Sequence, residues 1–146
     1  MVVLERENLN QQQQRFRSIR ESLSRFSDLQ ERAGRELLHW VDRNFQAEGK
    51  LLEEYPSGWP PLSPRTLRQR LNRGMGSHIL EATGTLRKGS TLQREASRTM
   101  VFNPVPHARF HQLGEGVPAR PIFPGIAQAR RIIHPALETF VREALQ

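Results

Sequence analysis

Apolar residues recur at steps of three and four along the first third of the chain. The set comprises Phe16, Ile19, Leu23, Phe26, Ala33, Leu37, Val41 and Phe45. Because this spacing places side chains on one side of an α-helix, we predict a helix from about Asn10 to Gln46. Asn8 or Asn10 would cap its start, and Gly49 would end it. At 1.5 Å per residue the helix would be roughly 55 Å long, which exceeds the width of a compact domain of this size. Either part of the stripe packs on another subunit, or the helix bends near Gly34, or a plain core helix begins with a frayed, glutamine-rich end.

After this helix, proline and glycine divide the chain into short pieces. Segment 49–76 is rich in turns and contains the run YPSGWPPLSP. Ser63 followed by Pro64 predicts the N-cap and first residue of a short helix that continues through Leu71. The run Gly74-Met75-Gly76 ends this helix, and we expect the loop there to be mobile.

Segment 77–125 is predicted to contain a small sheet. We expect a short helix or turn at His78–Ala82 and a short helical piece at Pro106–Leu113 that Gly114 closes. Leu86–Glu95 and Arg98–Asn103 interleave strand-forming with polar residues, which predicts an antiparallel hairpin. Val117–Phe123 is expected to be an edge strand, because its prolines cannot donate hydrogen bonds to a ladder.

The last predicted element is an amphipathic helix over Ile126–Leu145. Pro135 lies inside it, so we expect this helix to be kinked or split there. The fold class is therefore α+β, with a long N-terminal helix and a kinked C-terminal helix packed on a small antiparallel β-sheet. We expect one domain over residues 1–146, with four parts at 1–48, 49–76, 77–125 and 126–146.

Positive charge is concentrated in the later two thirds of the chain. Residues 1–48 carry eight Arg against eight Asp and Glu, so the formal net charge of +7 arises from residues 49–146. The densest group, which has no acidic neighbour in sequence, is Arg65, Arg68, Arg70 and Arg73. We predict that these arginines form a mobile basic loop that binds nucleic acid or an acidic protein surface, or is simply solvated.

Composition and motifs argue against several classes of protein. The chain has no cysteine, so disulfides and thiolate metal sites are excluded. Its N-terminus turns polar after four residues and it has no long apolar run, which predicts a soluble protein without a signal peptide. It contains no P-loop, G-x-S-x-G or G-x-G-x-x-G motif, so we expect neither catalysis nor a cofactor. His107 and His111 have a zinc-like i,i+4 spacing but no third ligand, so structural or interface histidines are the better interpretation.

Four short elements follow one another in a recognisable order: GWPPLSPRT, ILEATGTLR, HARFHQLG and PARPIFPGI. Together they resemble the bacteriophage virion morphogenesis family, the tail-completion or neck proteins of tailed phages, including the Mu-like ones. The resemblance extends from about Gly58 to the end of the chain. The matching positions of these four family elements are Trp59, Pro61, Leu62 and Thr66; Ile79, Leu80, Thr83, Gly84 and Leu86; His107, Ala108, His111, Gln112 and Gly114; and Pro118, Arg120, Pro121, Ile122 and Gly125.

The resemblance implies a structural, non-enzymatic virion protein without metal or cofactor. It would assemble as a homo-oligomeric ring at the head–tail junction, with a hexamer favoured and a dodecamer as the alternative. Its implied partners are further copies of itself, the portal or adaptor side of the head, and the tail terminator or tail tube. DNA would pass through the lumen without sequence recognition, and no membrane would be involved. The protein would reside in the virion, and in the host cytoplasm during assembly.

The fourth element suggests how contacts could be made. Pro118 and Pro121 hold the chain extended at little entropic cost, which would aim Arg120 outward at an acidic or carbonyl-rich partner. The candidate assembly contacts are His111, Gln112, Arg120, Ile122 and Phe123. A well-braced loop with a structural arginine is the alternative. The candidate structural residues are Trp59, Gly84, Gly114, Pro121 and Gly125, with Trp59 expected in the core.

A second function stays open. The Arg65–Arg109 region carries nine basic and two acidic residues, as expected of a small DNA-binding accessory protein. Such a protein should lose affinity steeply as salt rises.

Overall fold

One long helix provides the frame on which the rest of the chain is built. The computed structural model describes residues 2–144, and its fold is α+β, as predicted. In chain order the elements are α1 (Val2–Gln46), α2 (Pro64–Asn72), α3 (Thr85–Lys88), β1 (Thr91–Arg94), β2 (Thr99–Phe102), α4 (Ala108–Leu113) and α5 (Ile126–Ala144). The two strands form one antiparallel hairpin.

Helix α1 is longer than the sequence suggested. It has 45 residues, or about 68 Å at 1.5 Å per residue, and it starts at Val2. The predicted start near Asn10 is wrong, because Leu, Glu, Arg and Gln are all good helix formers and Asn8 and Asn10 lie within the helix. The predicted end is confirmed: the chain turns at Gly49, whose φ is 84° and whose N–H donates to the carbonyl of Asn44 at 2.9 Å.

Helix α1 continues without a break through Gly34. A Cβ at this position would lie 2.6 Å from Cδ1 of Leu92 and 3.1 Å from Cγ2 of Thr99. Both residues belong to the hairpin, which packs directly against α1 here. The glycine therefore provides the room that lets β1 and β2 approach the helix backbone.

The hairpin is shorter than predicted at its start. β1 begins at Thr91, not at Leu86, because residues 85–88 form the single turn α3. Leu86 is buried in the core there, and its carbonyl accepts from Nδ2 of Asn103 at 2.7 Å. β2 lies within the predicted Arg98–Asn103 range, and the antiparallel pairing is confirmed.

Three further predictions for short segments have different outcomes. Ser63 caps α2 as predicted, since its Oγ accepts from the backbone N–H of Thr66 at 3.1 Å. The segment His78–Ala82 is a turn, with Leu80 at a φ of 62°. The predicted edge strand at Val117–Phe123 is wrong: the segment is irregular, and the Gln112 side chain replaces a neighbouring strand as the acceptor for its N–H groups.

Helix α5 packs along α1. It is not split at Pro135, which lies inside the continuous helix. An ion pair of 2.8 Å between Arg32 and Glu143 joins the two helices. The predicted end at Leu145 lies outside the described residues.

The core gathers around the second half of α1. Trp40, Val41 and Phe45 form its centre, and the rings of Phe45 and Trp59 meet edge to face at 5.4 Å. The other buried members are Leu52, Ile79, Leu80, Leu86, Ala108 and Ile122. Asn44 is also fully buried, and neither its Oδ1 nor its Nδ2 has a hydrogen-bond partner within residues 2–144.

Candidate docking cleft

The four family elements, separated along the chain, surround one cleft of about 630 Å³. Each element contributes to its lining, as represented by Leu62, Leu80, His111 and Arg120. Their convergence in space defines the candidate functional site, which is called the cleft below.

Arg120 is the most buried basic residue of the described chain, with 7% of its surface exposed. Its Nε donates to the carbonyl of Pro60 at 2.8 Å, and its Nη2 donates to the carbonyl of Pro61 at 3.1 Å. The expectation that Arg120 points outward was therefore wrong: the carbonyl-rich partner belongs to the same chain. The fixed fork of the guanidinium explains how one side chain can bridge two successive carbonyls.

The electrostatic surroundings of Arg120 are unusual for a buried cation. Burial, together with the charge of Arg70, lowers its pKa from the ordinary value. It forms no ion pair with a carboxylate among the described residues. Seven other arginines do form such pairs, namely Arg32, Arg35, Arg87, Arg94, Arg98, Arg109 and Arg131.

His111 lies beside Arg120 at the cleft. Its Nδ1 is buried and has no hydrogen-bond partner within the described chain. Burial lowers its pKa, and the charges of Arg120 and His107 add to the effect. The rings of His107 and His111 meet edge to face with centroids 6.1 Å apart. Within residues 2–144 no group of three or more metal-binding side chains is placed to hold an ion.

Gln112 and its neighbours act inside the protein. The Oε1 of Gln112 accepts from the backbone N–H groups of Ile122 at 2.8 Å and Phe123 at 3.0 Å, and its Nε2 donates to the carbonyl of Phe123. Ile122 has 0% of its surface exposed, while Phe123 is half-buried. Of the proposed contacts, Gln112 and Ile122 therefore hold the fourth element against the third.

The structural candidates occupy joints between these elements. Trp59 is buried, and its Nε1 donates to the carbonyl of Pro121 at 2.9 Å. Gly114 ends α4 at a φ of 73°, and a Cβ there would lie 3.0 Å from the Cβ of Ala119. Gly84 precedes α3 at a φ of 72°. Gly125 has a Cβ position with no protein atom nearer than 3.9 Å, so its surroundings do not require glycine.

The basic group is a helix rather than a loop. Arg65, Arg68 and Arg70 lie on α2, and Arg73 is its C-cap residue. Arg70 is half-buried and donates to the carbonyl of His78 at 2.7 Å, while the other three are exposed. A loop at Gly74–Gly76 follows, as predicted; its mobility stays a prediction.

Much of the positive charge in the Arg65–Arg109 region is neutralised within the chain. Arg87 binds Asp42 at 2.7 Å and Glu81 at 2.9 Å. These contacts raise the pKa of Arg87, and the hydrogen bond from Arg87 lowers that of Asp42. Arg94, Arg98 and Arg109 also have acidic partners. No local sequence signal could have indicated the pairing of Arg87 with Asp42, because the two lie 45 positions apart.

Sequence reasoning found the apolar stripe of α1 but not which part of it is uncovered. Four members of the predicted stripe are exposed: Phe16, Ile19, Leu23 and Phe26. Together with exposed Leu9, which the prediction did not include, they are called the projecting stripe below. Every described side chain from residue 8 to residue 26 is exposed, and burial begins at Leu29. No described helix combines the length and apolar character that crossing a bilayer requires.

The described structure therefore combines an α+β fold, one cleft surrounded by separated sequence elements, and an uncovered stretch of α1. Comparison with known families gives a match over residues 7–140 to the phage virion morphogenesis family. The chain belongs to this family. Neither curated proteins nor solved structures gave a match.

Proposed function

We propose that this protein is a structural component of the head–tail junction of a tailed, Mu-like phage, where it assembles as a homo-oligomeric ring that joins the tail to the DNA-filled head. Membership of a virion morphogenesis family supports a role in assembly. The observation that carries the ring is the projecting stripe, a large apolar surface that the chain itself leaves uncovered.

The projecting stripe has the geometry of an interface helix. Its members follow at steps of seven, three, four and three residues, close to the heptad pattern of helices that pack side by side. Phe16 is 71% exposed and Leu23 is 64% exposed. Such large side chains in one line are costly to leave in water, since each stabilises an interface by about 1.5–3 kcal/mol when fully buried.

A neighbouring copy of the chain is the proposed occupant. A closed ring needs a head-to-tail interface, so the projecting stripe of one copy would pack on a different apolar surface of the next. Exposed Phe110, Leu113 and Ile126 provide apolar surface in another part of the chain. Six copies remain the favoured number, with twelve as the alternative.

The remaining partners follow from this position in the virion. The ring would contact the portal or adaptor on the head side and the tail terminator or tail tube on the other side. DNA would pass through the lumen without sequence recognition. The protein would need neither catalysis nor a cofactor, and it would meet its partners in the host cytoplasm before it becomes part of the virion.

Native mass measurement tests the ring directly. Phe16→Glu combined with Leu23→Glu places two charges in the projecting stripe and should abolish oligomers. Asn10→Glu combined with Gln14→Glu is the matched control, because it adds the same charge on the other side of the exposed helix. In a complementation assay the stripe variant should give DNA-filled heads and separate tails. Normal phage yield from the stripe variant would contradict the proposal.

Exposed Arg65, Arg68 and Arg73 keep the DNA-binding alternative in view, since they lie together at α2 and have no acidic partner within residues 2–144. Of the nine basic residues in the Arg65–Arg109 region, these three are the exposed arginines that have no acidic partner within residues 2–144. Tight binding to duplex DNA with a steep salt dependence, lost when the three are changed to Gln, would favour the alternative over the ring.

A further inference from the structure

We propose that the cleft binds a carboxylate side chain, Asp or Glu, carried between apolar residues on an extended segment of a partner protein. The proposal rests on the proposed function only in taking the partner to be another protein. It concerns a different surface from the projecting stripe.

The charge of the cleft calls for an anion. The cations Arg70 and Arg120 line it beside the imidazoles of His107 and His111, and no Asp or Glu among the described residues does. A buried cation without a counter-ion is unfavourable in a low-dielectric site, so an entering carboxylate would find an uncompensated charge. The seven arginines that pair with carboxylates elsewhere are all more exposed than Arg120, which is the buried one.

Hydrogen-bonding capacity points the same way. Nε and Nη2 of Arg120 are used by the carbonyls of Pro60 and Pro61, while its Nη1 makes no hydrogen bond within the described chain. The buried Nδ1 of His111 has no partner either. A carboxylate is an acceptor for several hydrogen bonds, so it matches Nη1 and also Nδ1 in the tautomer that carries the proton there.

The walls of the cleft decide which kind of anion fits. Leu62, Leu80, Leu86 and Val117 line it together with Pro61 and Pro118, so most of its surface is apolar. A protein segment can place aliphatic side chains on either side of its carboxylate and cover these walls. The sugar–phosphate backbone of nucleic acid carries no aliphatic side chains to do so, which makes a protein segment the better occupant.

The cleft is also held in shape before any partner arrives. The bond from Trp59 to Pro121, the two bonds from Arg120, and the bonds from Gln112 to the fourth element fix its walls to one another. Preorganised walls reduce the entropy lost on binding. This explains why residues proposed as contacts, such as Gln112, are found as internal braces.

Two capped tripeptides test the proposal on the full chain: acetyl-Leu-Glu-Leu-amide and acetyl-Leu-Gln-Leu-amide. NMR titration at millimolar concentrations should give saturable shifts at His111, Leu80 and Arg120 with the Glu peptide. Binding of the Gln peptide should be weaker by about tenfold or more, since a charge-assisted hydrogen bond contributes about 1.5–3 kcal/mol. Equal affinity for the two peptides, no binding, or shifts elsewhere would each overturn the proposal.

Matched arginine variants locate the site. Arg70→Gln removes a charge that lines the cleft and should weaken the Glu peptide severalfold. Arg68→Gln removes an exposed charge from the same helix, outside the lining, and should change its affinity less than about twofold. Equal weakening by both variants would indicate a diffuse charge effect and overturn the site.

Two further measurements distinguish a protein segment from nucleic acid as the occupant, and binding at the cleft from formation of the ring. A single-stranded oligothymidylate that competes with the peptide for the same shifts would make nucleic acid the occupant and overturn the proposal. The Phe16→Glu, Leu23→Glu variant should bind the Glu peptide as the unaltered chain does. If the unaltered chain binds the Glu peptide but forms no oligomer, this inference stands and the proposed ring is wrong.

Discussion

The indole nitrogen of Trp59 donates a hydrogen bond to the carbonyl of Pro121 at 2.9 Å, across 62 positions of sequence. The same two segments are joined in the opposite direction by Arg120, whose guanidinium binds the carbonyls of Pro60 and Pro61. The first and fourth family elements are therefore fastened together twice. This double connection forms one side of the cleft.

Trp59→Phe should lower the free energy of unfolding by about 1–3 kcal/mol, because it leaves the Pro121 carbonyl without its donor while keeping an aromatic ring in the core. Urea denaturation followed by circular dichroism measures the change. Trp40→Phe is the comparison: Trp40 is equally buried, but no hydrogen bond from its indole is present among the described contacts. A larger loss for Trp40→Phe would contradict the importance of the Trp59 bond.

Arg120→Ala should also destabilise the protein, by about 1–3 kcal/mol, because two carbonyls lose their donor at once. The removal of an uncompensated buried charge offsets part of the loss. Thermal unfolding of Arg120→Ala beside the exposed-site control Arg68→Ala checks this, since the control should lie within about 0.5 kcal/mol of the unaltered chain. Normal melting of Arg120→Ala would show that its two hydrogen bonds contribute little.

Two asparagines, Asn44 (buried) and Asn103 (half-buried), provide a paired test of polar burial. Asn44→Leu should raise the free energy of unfolding by about 1–2 kcal/mol, because both polar atoms of Asn44 are buried without partners among the described residues. Asn103→Leu should lower it, because Asn103 donates to Leu86 and Ser90 and accepts from the N–H of Val105. Denaturant titration of both variants gives the two signs. Destabilisation by Asn44→Leu would mean that the Asn44 amide is satisfied in solution.

His111 should make the stability of the protein sensitive to mild acid. Its pKa is lowered on folding by burial, then by Arg120 and His107, so the unfolded state takes up the proton first. The stabilising contribution is fully present above the unfolded pKa of about 6.5 and is lost as pH falls through the lower folded pKa. We expect the free energy of unfolding to decrease over this window.

The measurement is a urea titration repeated on either side of that window, for the unaltered chain and for His111→Gln. The variant should show a smaller decrease with falling pH, because the group that titrates differently in the two states has been removed. An identical slope in both proteins would assign the acid sensitivity to other groups.

The parts of the fold that sequence predicted are those fixed by local chemistry. The stripe from Phe16 to Phe45 predicted α1 because one helical face repeats within a few residues. Ser63 and Pro64 predicted the start of α2 for a similarly local reason, and Gly114 the end of α4. The hairpin was predicted, except where Leu86 is drawn into the core and replaces the first part of the strand with a helical turn.

The errors came from partners that the local residue pattern does not show. The segment Val117–Phe123 has the residues of an edge strand, but the Gln112 side chain accepts from the N–H groups of Ile122 and Phe123. The direction of Arg120 depends on two carbonyls about 60 positions away, which no pattern near residue 120 can indicate. The four family elements indicated which residues belong to the candidate site, while their convergence on one cleft required the fold.

Helix α1 carries the core face around Val41 and the projecting stripe on one continuous backbone. Each residue of an α-helix advances the direction of its side chain by about 100°. Two residues inserted between Phe26 and Leu29 would turn the projecting stripe by about 200°, to the opposite side of the molecule, without altering a single apolar residue. An insertion of seven would move the stripe outward by about 10 Å and turn it by only about 20°. The number of residues in this stretch therefore sets the direction in which the projecting stripe points. Related chains should accept substitutions there far more readily than changes of length that are not close to whole turns.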